Sequence, residues 1–179
     1  MNHKHYTLYI LLLAVTFFGF NQKWGYMTGS AWWTHLSFHF CHANIFHLAA
    51  NMLVVFILIF NRNDKLWMWP LSYVIASACS FLISTPKPTV GLSGLLFAYY
   101  GIIFMKDDAQ WRPLLQTIIY MAVSCLFVSR MAVGLHFICL FTGVIVGFMI
   151  SFHGKVERNT SLYESTLERK NERTKQPIH

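Results

Sequence analysis

Charge is scarce in this sequence and unevenly placed. Lys, Arg, Asp and Glu make up 12% of its 179 residues. None of them falls inside six apolar runs, approximately Tyr6–Phe20, His42–Phe60, Leu66–Ile83, Val90–Met105, Pro113–Val128 and Met131–Phe152. With 55% hydrophobic residues and a mean hydropathy of +0.45, this scarcity excludes an ordinary soluble domain of the same length. Most runs approach the ~17–25 residues that a spanning helix needs, and the short first and fourth can be met by thinning the bilayer or extending into polar flanks. They lack period-two alternation, which excludes a closed barrel. The expected fold class is all-α, a polytopic membrane protein with six spanning helices.

Other absences narrow the function. The four cysteines (Cys41, Cys79, Cys125 and Cys139) are irregularly spaced and imply neither a disulfide framework nor a zinc site. No small-residue cleavage pattern follows the first run, whose end reads Phe18-Gly19-Phe20-Asn21-Gln22, so a retained helix is expected there rather than a signal peptide. There is no internal repeat. The net charge of +7 reports topology and headgroup contact in so apolar a chain, and nucleic acid is not an expected partner.

What charge there is orients the chain. With the N-terminus inside, the inner segments carry Lys4, Arg62, Lys65, Lys106, Arg112 and six basic tail residues, whereas the outer loops carry Lys23, Lys87 and Arg130. Both termini are therefore expected on the cytoplasmic side. Residues 153–179 mix six basic with four acidic residues and are expected as a solvated or headgroup-associated tail beyond a membrane domain of residues 1–152. A glycosylation triplet at Asn159 lies in that cytoplasmic tail and carries no weight.

All seven acidic residues (Asp64, Asp107, Asp108, Glu157, Glu164, Glu168 and Glu172) fall on the cytoplasmic side of this topology. An Asp-assisted triad or an aspartyl pair in the outer half is thereby excluded. A transporter with an intramembrane carboxylate is disfavoured for the same reason. No His-Glu-x-x-His motif is present.

Polar side chains do occur inside the apolar runs, where they are costly and need a reason. His42, His47 and Asn51 lie on the second run, with His47 and Asn51 sharing one helical face. Gly91-Leu92-Ser93-Gly94 opens the fourth run, and His136 stands alone on the sixth. The second, fourth and sixth runs all pass from outside to inside, and His47, Ser93 and His136 each lie a few residues in, so they share a depth. Cys139, Gly143 and Gly147 form a small-residue ridge that can meet Gly94 and Ala98 of the fourth run. A hydroxyl and an imidazole brought together this way have the parts of an activated nucleophile. Phe97, one turn after Ser93, can stack on the imidazole. His47, Asn51 and the backbone N–H groups near Leu92 and Ser93 can face an oxyanion.

These residues resemble the rhomboid intramembrane serine proteases of the minimal six-helix type. The resemblance rests on His42-Ala43-Asn44-Ile45-Phe46-His47-Leu48-Ala49-Ala50-Asn51, on Gly91-Leu92-Ser93-Gly94, and on His136 ahead of Gly143-x-x-x-Gly147. It implies a rhomboid-like bundle with Ser93 as nucleophile, His136 as base, and His47 and Asn51 as oxyanion donors. His42 is then a structural residue holding the first outer loop. The implied substrates are transmembrane segments of other proteins, with the lipid bilayer as the other partner and no metal or organic cofactor. The sequence departs from the family pattern at Thr34 after Trp33, at Cys139 and at Phe97, where arginine, glycine and tyrosine are common. A bacterial inner membrane is the expected location, and the sequence does not set the oligomeric state.

Blander readings compete. Asn51 can be interhelical glue worth ~1–2 kcal/mol. Trp24, Tyr26, Trp32, Trp33, Trp67, Trp69 and Tyr73 read as interfacial belts, and His35 and His39 as solvated loop residues beside a water path. At the level of function, an inactive rhomboid-like protein that binds transmembrane segments is the main alternative, although it would usually have lost the serine or the histidine. A haem protein ligated by His42, His47 and His136 is a poorer fit, because His42 and His47, five residues apart, point in different directions.

Overall fold

The computed structural model describes residues 22–61, 66–106 and 130–175, together with 6, 8, 9, 11, 12, 115 and 119. Its helices are α1 (Thr34–Ser37), α2 (Ile45–Asn61), α3 (Met68–Ser80), α4 (Ser93–Lys106) and α5 (Arg130–Lys175), with single 3-10 turns at Gln22–Trp24 and Phe38–Phe40. No strand occurs among the described residues, where Tyr26 and Thr89 form one isolated antiparallel bridge.

The protein is thus helical, as its apolar runs require. Among the described residues, Val133–Arg169 is one helix long and apolar enough to cross a membrane. The pair Thr34–Phe40 and Ile45–Ile59, bent by 84°, would supply a second if it formed one span. The bend has a local cause, because Cys41 is extended (φ −115°, ψ 153°) and breaks the helical path. Ser93–Met105 is apolar but shorter. The six-helix count also depends on the first and fifth runs, which lie largely outside the described residues.

α4 is the central helix. From Leu92 to Ile103 nearly every side chain is buried, Phe97, Ala98 and Leu96 completely, which explains how a helix this short keeps its place. Its contact with α5 is made backbone to backbone. A methyl group added at Gly143 would collide with the carbonyl oxygen of Ala98, one at Gly101 with that of Leu140, and one at Gly147 would lie 2.6 Å from that of Ile102. Where hydrocarbon surrounds the helices there is little hydrophobic gain in pairing them, so close van der Waals approach through small residues supplies the attraction. Further along, Ser151 Oγ donates to the Met105 carbonyl at 3.1 Å, extending the contact to the end of α4.

The segments before α1 and ahead of α4 are held by hydrogen bonds instead. Tyr26 and Thr89 exchange backbone bonds of 3.2 and 2.9 Å, and Thr28 N–H donates to Thr85 O at 2.8 Å. The Pro86-Pro88 loop ahead of α4 is thereby tied to the chain before α1.

Two expectations need correction. His39 is fully buried, with Nε2 3.1 Å from Ser77 Oγ, and His35 stacks between Tyr26 and Phe81 with Nδ1 2.8 Å from Ser80 Oγ, so neither is a freely solvated loop histidine. Tyr26 and Trp69 are core residues rather than belt residues; Trp69 lies against Tyr99 of α4 at a centroid distance of 4.5 Å. The charged tail continues α5 to Lys175, and nearly all side chains from Lys155 to Arg169 are exposed, with local pairs such as His153–Glu157 at 3.1 Å supporting the helix.

Candidate active site

Each side chain of the site is placed by a local feature. Asn44 Oδ1 accepts from the backbone N–H of His47 at 2.8 Å, the bond of a helix N-cap, and this fixes the first turn of α2. His47 therefore projects from a capped turn. The Ala43 N–H donates to its Nδ1 at 3.5 Å, leaving the ring proton on Nε2, and Nε2 is buried without a hydrogen-bond partner among the described residues. A buried donor left open in this way is available to an incoming acceptor.

Across from it lies Gly91, with φ +123°, a conformation that L side chains rarely adopt. Its N–H donates to Phe38 O at 2.8 Å, joining the Phe38–Phe40 turn to the turn that begins α4. A Cβ at this position would sit 2.5 Å from His47 Cε1 and 2.9 Å from Nε2. Gly91 thus lets the imidazole of His47 lie directly on the backbone that leads into Ser93. The first-turn N–H groups of α4, starting at Ser93 after Leu92, have no carbonyl partners within their own helix and add donors at the same end.

Ser93 Oγ lies 2.8 Å from His136 Nε2, and both side chains are buried. Phe97 stacks on the His136 ring at a centroid distance of 4.5 Å and an interplanar angle of 27°. Gly94, next to Ser93, faces Leu135 and Cys139, which flank His136 on α5; a Cβ there would stand 3.5 and 3.6 Å from them. The α4–α5 contact therefore brings hydroxyl and imidazole within one hydrogen bond.

His42 and His47 meet edge to face at 5.3 Å, and Asn51 is buried one turn beyond His47 on α2. These contacts join His42 to His47, His47 to Gly91, and Ser93, Gly94 and Phe97 to α5 around His136, with Leu92 just before Ser93 and Asn51 one turn beyond His47, near the N-terminal ends of α2, α4 and α5. Among the described residues no cluster of three His, Cys, Asp or Glu side chains could hold a metal ion.

Sequence reasoning missed the supporting bonds. Asn44, three residues before His47, is a readable N-cap signal. The Gly91–Phe38, His39–Ser77 and His35–Ser80 bonds join residues far apart in the chain, and no spacing rule announces them.

The chain is similar to Rhomboid-like protein 11, chloroplastic, from Arabidopsis thaliana, at 30% identity over 121 residues. That stretch is 61% of this chain and 43% of the relative, so the chain covers less than half of the relative's length. No solved structure matches. The Rhomboid domain model matches residues 29–156, a stretch that contains Ser93, His136 and every other residue of the site. The match spans well over half of the chain, and this integral membrane protein belongs to the rhomboid family.

Proposed function

We propose that the chain is an intramembrane serine endopeptidase that hydrolyses peptide bonds in or near transmembrane segments of other membrane proteins. The observation that carries this reading is the 2.8 Å contact between Ser93 Oγ and His136 Nε2, buried at the end of a packed helix pair. His136 Nε2 takes the hydroxyl proton as Oγ attacks the scissile carbonyl carbon, and later returns a proton to the leaving amine. Phe97, stacked on the ring, holds the plane of the imidazole. The tetrahedral oxyanion then faces the Nε2–H of His47, the Asn51 amide and the first-turn N–H groups near Leu92 and Ser93. His42 supports His47 from the loop side.

On this reading residues 1–152 form the protease domain and 153–179 a cytoplasmic tail, with both termini cytoplasmic in a bacterial inner membrane. An inactive binding protein would have no use for a positioned base. Purified protein in liposomes should cleave a model transmembrane substrate, and Ser93→Ala and His136→Ala should each lower turnover by at least ~10³-fold while leaving substrate capture intact. Cleavage at wild-type rate by either variant would refute the dyad.

A further inference from the structure

α5 is much longer than a membrane is thick. Val133–Arg169, 37 residues of helix, spans about 55 Å at ~1.5 Å per residue, against a hydrocarbon core of ~30 Å. After Arg130 its next charged residue is Lys155, so the helix leaves the hydrocarbon near that point and continues as a rod whose side chains are nearly all exposed.

The rod keeps an apolar face that lipid does not reach. Ile145, Met149, Phe152, Val156, Tyr163 and Leu167 follow one another in steps of four, three, four, seven and four. At ~100° per residue they stay within roughly 40° of Val156 around the helix axis. All of them are exposed. Hydrocarbon covers the first three, whereas Val156, Tyr163 and Leu167 stand among charged residues, beyond the lipid tails. Alternating steps of three and four are the spacing of a seam between paired helices.

The charges beside this face are sorted by sign. Glu157, Glu164 and Glu168 lie about a quarter to a third of a turn to one side, and Lys155 and Arg169 about a third of a turn to the other, with Arg158 behind. An anionic bilayer surface would be repelled by the glutamates, and a partner of a single sign would oppose one flank. A second copy of the helix carries both signs. When two copies lie parallel about a two-fold axis, the acidic flank of each faces the basic flank of the other, with Lys155 level with Glu157 and Arg169 level with Glu168. Antiparallel pairing would set like charges side by side, but insertion in one membrane with one orientation already makes the two helices parallel. Asn159 stands beside the seam in the gap between Val156 and Tyr163. Two such amides facing across the axis can bond to each other, which fixes the register of the pair.

We propose that this face of α5, from Ile145 to Leu167, is the contact through which two copies of the chain form a parallel dimer in the membrane. The inference stands on α5 alone and not on the protease reading.

The test uses the full chain in liposomes at a low protein-to-lipid ratio. Tyr163→Cys, on the seam, should cross-link into a dimer under copper phenanthroline ~10-fold faster than Ser165→Cys on the opposite side of the helix, with wild type, whose described cysteines are buried, as the background. Glu164→Lys combined with Glu168→Lys should weaken dimerisation by ~10-fold, counted by single-molecule photobleaching, and adding Lys155→Glu and Arg169→Glu should restore it. Ser93→Ala should dimerise like wild type, which separates this contact from proteolysis. A wild type that stays monomeric overturns the proposal, including one whose tail is shielded by anionic vesicles instead. Equal cross-linking at positions 163 and 165, or dimerisation that ignores the charge reversals, overturns it as well.

Discussion

Two regions hold the same site by opposite means. The α4–α5 contact uses almost no polar bonds; glycines at 101, 143 and 147 remove side chains until backbones touch. The roof over this end of the helices, residues 22–44 and 81–92, uses short irregular segments stitched by hydrogen bonds from Tyr26, Thr28, His35, His39 and Gly91. The helix pair sets the distance between Ser93 and His136, and the roof aims His47 at the backbone before Ser93. The comparison teaches that positioning divides by the regularity of the segments. Close approach of small residues serves between regular helices, and directional bonds serve where irregular segments must be ordered.

The largest expected effect comes where the two regions meet. Gly91→Ala forces a side chain into a left-handed backbone and against the His47 ring, so turnover should fall by ~10²–10³-fold, as for loss of an oxyanion donor, while Ser93–His136 geometry survives. Kinetics on the liposome-embedded variant would check this, and an unchanged kcat would show that His47 does not serve the reaction. Next, Gly143→Val should separate α4 from α5 and cost ~1–3 kcal/mol of stability, read as a lowered Tm, because the colliding Ala98 carbonyl is backbone and cannot rotate away.

The roof should reveal itself through pH. Burial pushes the His39 imidazole down to about 3. The unfolded chain, titrating near the ordinary value of about 6.5, binds the proton more readily, so stability is full above that pH and is lost as pH falls toward the folded value. Between pH 7 and 5 the loss should approach ~2 kcal/mol, and His39→Gln should flatten the Tm profile in that window. A profile identical to wild type would remove His39 from the account. The smallest effect belongs to the cap: Asn44→Ala should cost ~1 kcal/mol and loosen the first turn of α2, visible as faster amide exchange at His47.

The helix pair was largely legible in the sequence because its determinants are periodic. Cys139, Gly143 and Gly147 repeat at four-residue steps, and Gly94 and Ala98 answer them. Counting residues inward puts Ser93 and His136 at one depth. Gly101, seven residues after Gly94 and on the same helical face, escaped notice although it makes one of the tightest contacts. The roof was poorly legible. Its residues follow no period, and the burial of Tyr26 and His39 is decided by partners such as Thr89 and Ser77 that are distant in sequence. The length of α5 was hidden for another reason, since a mixed-charge tail reads as solvated whether or not it is helical, and local pairs such as His153–Glu157 support the helix without burying it.

Everything functional depends on Ser93 being a hydroxyl activated by its neighbour. Labelling the liposome-embedded protein with a fluorophosphonate probe tests that directly, without requiring a known substrate. The account predicts covalent labelling of wild type at Ser93, lost in Ser93→Ala and at least ~10²-fold slower in His136→Ala. Wild type that stays unlabelled while folded, or a Ser93→Ala variant that labels equally, would contradict it.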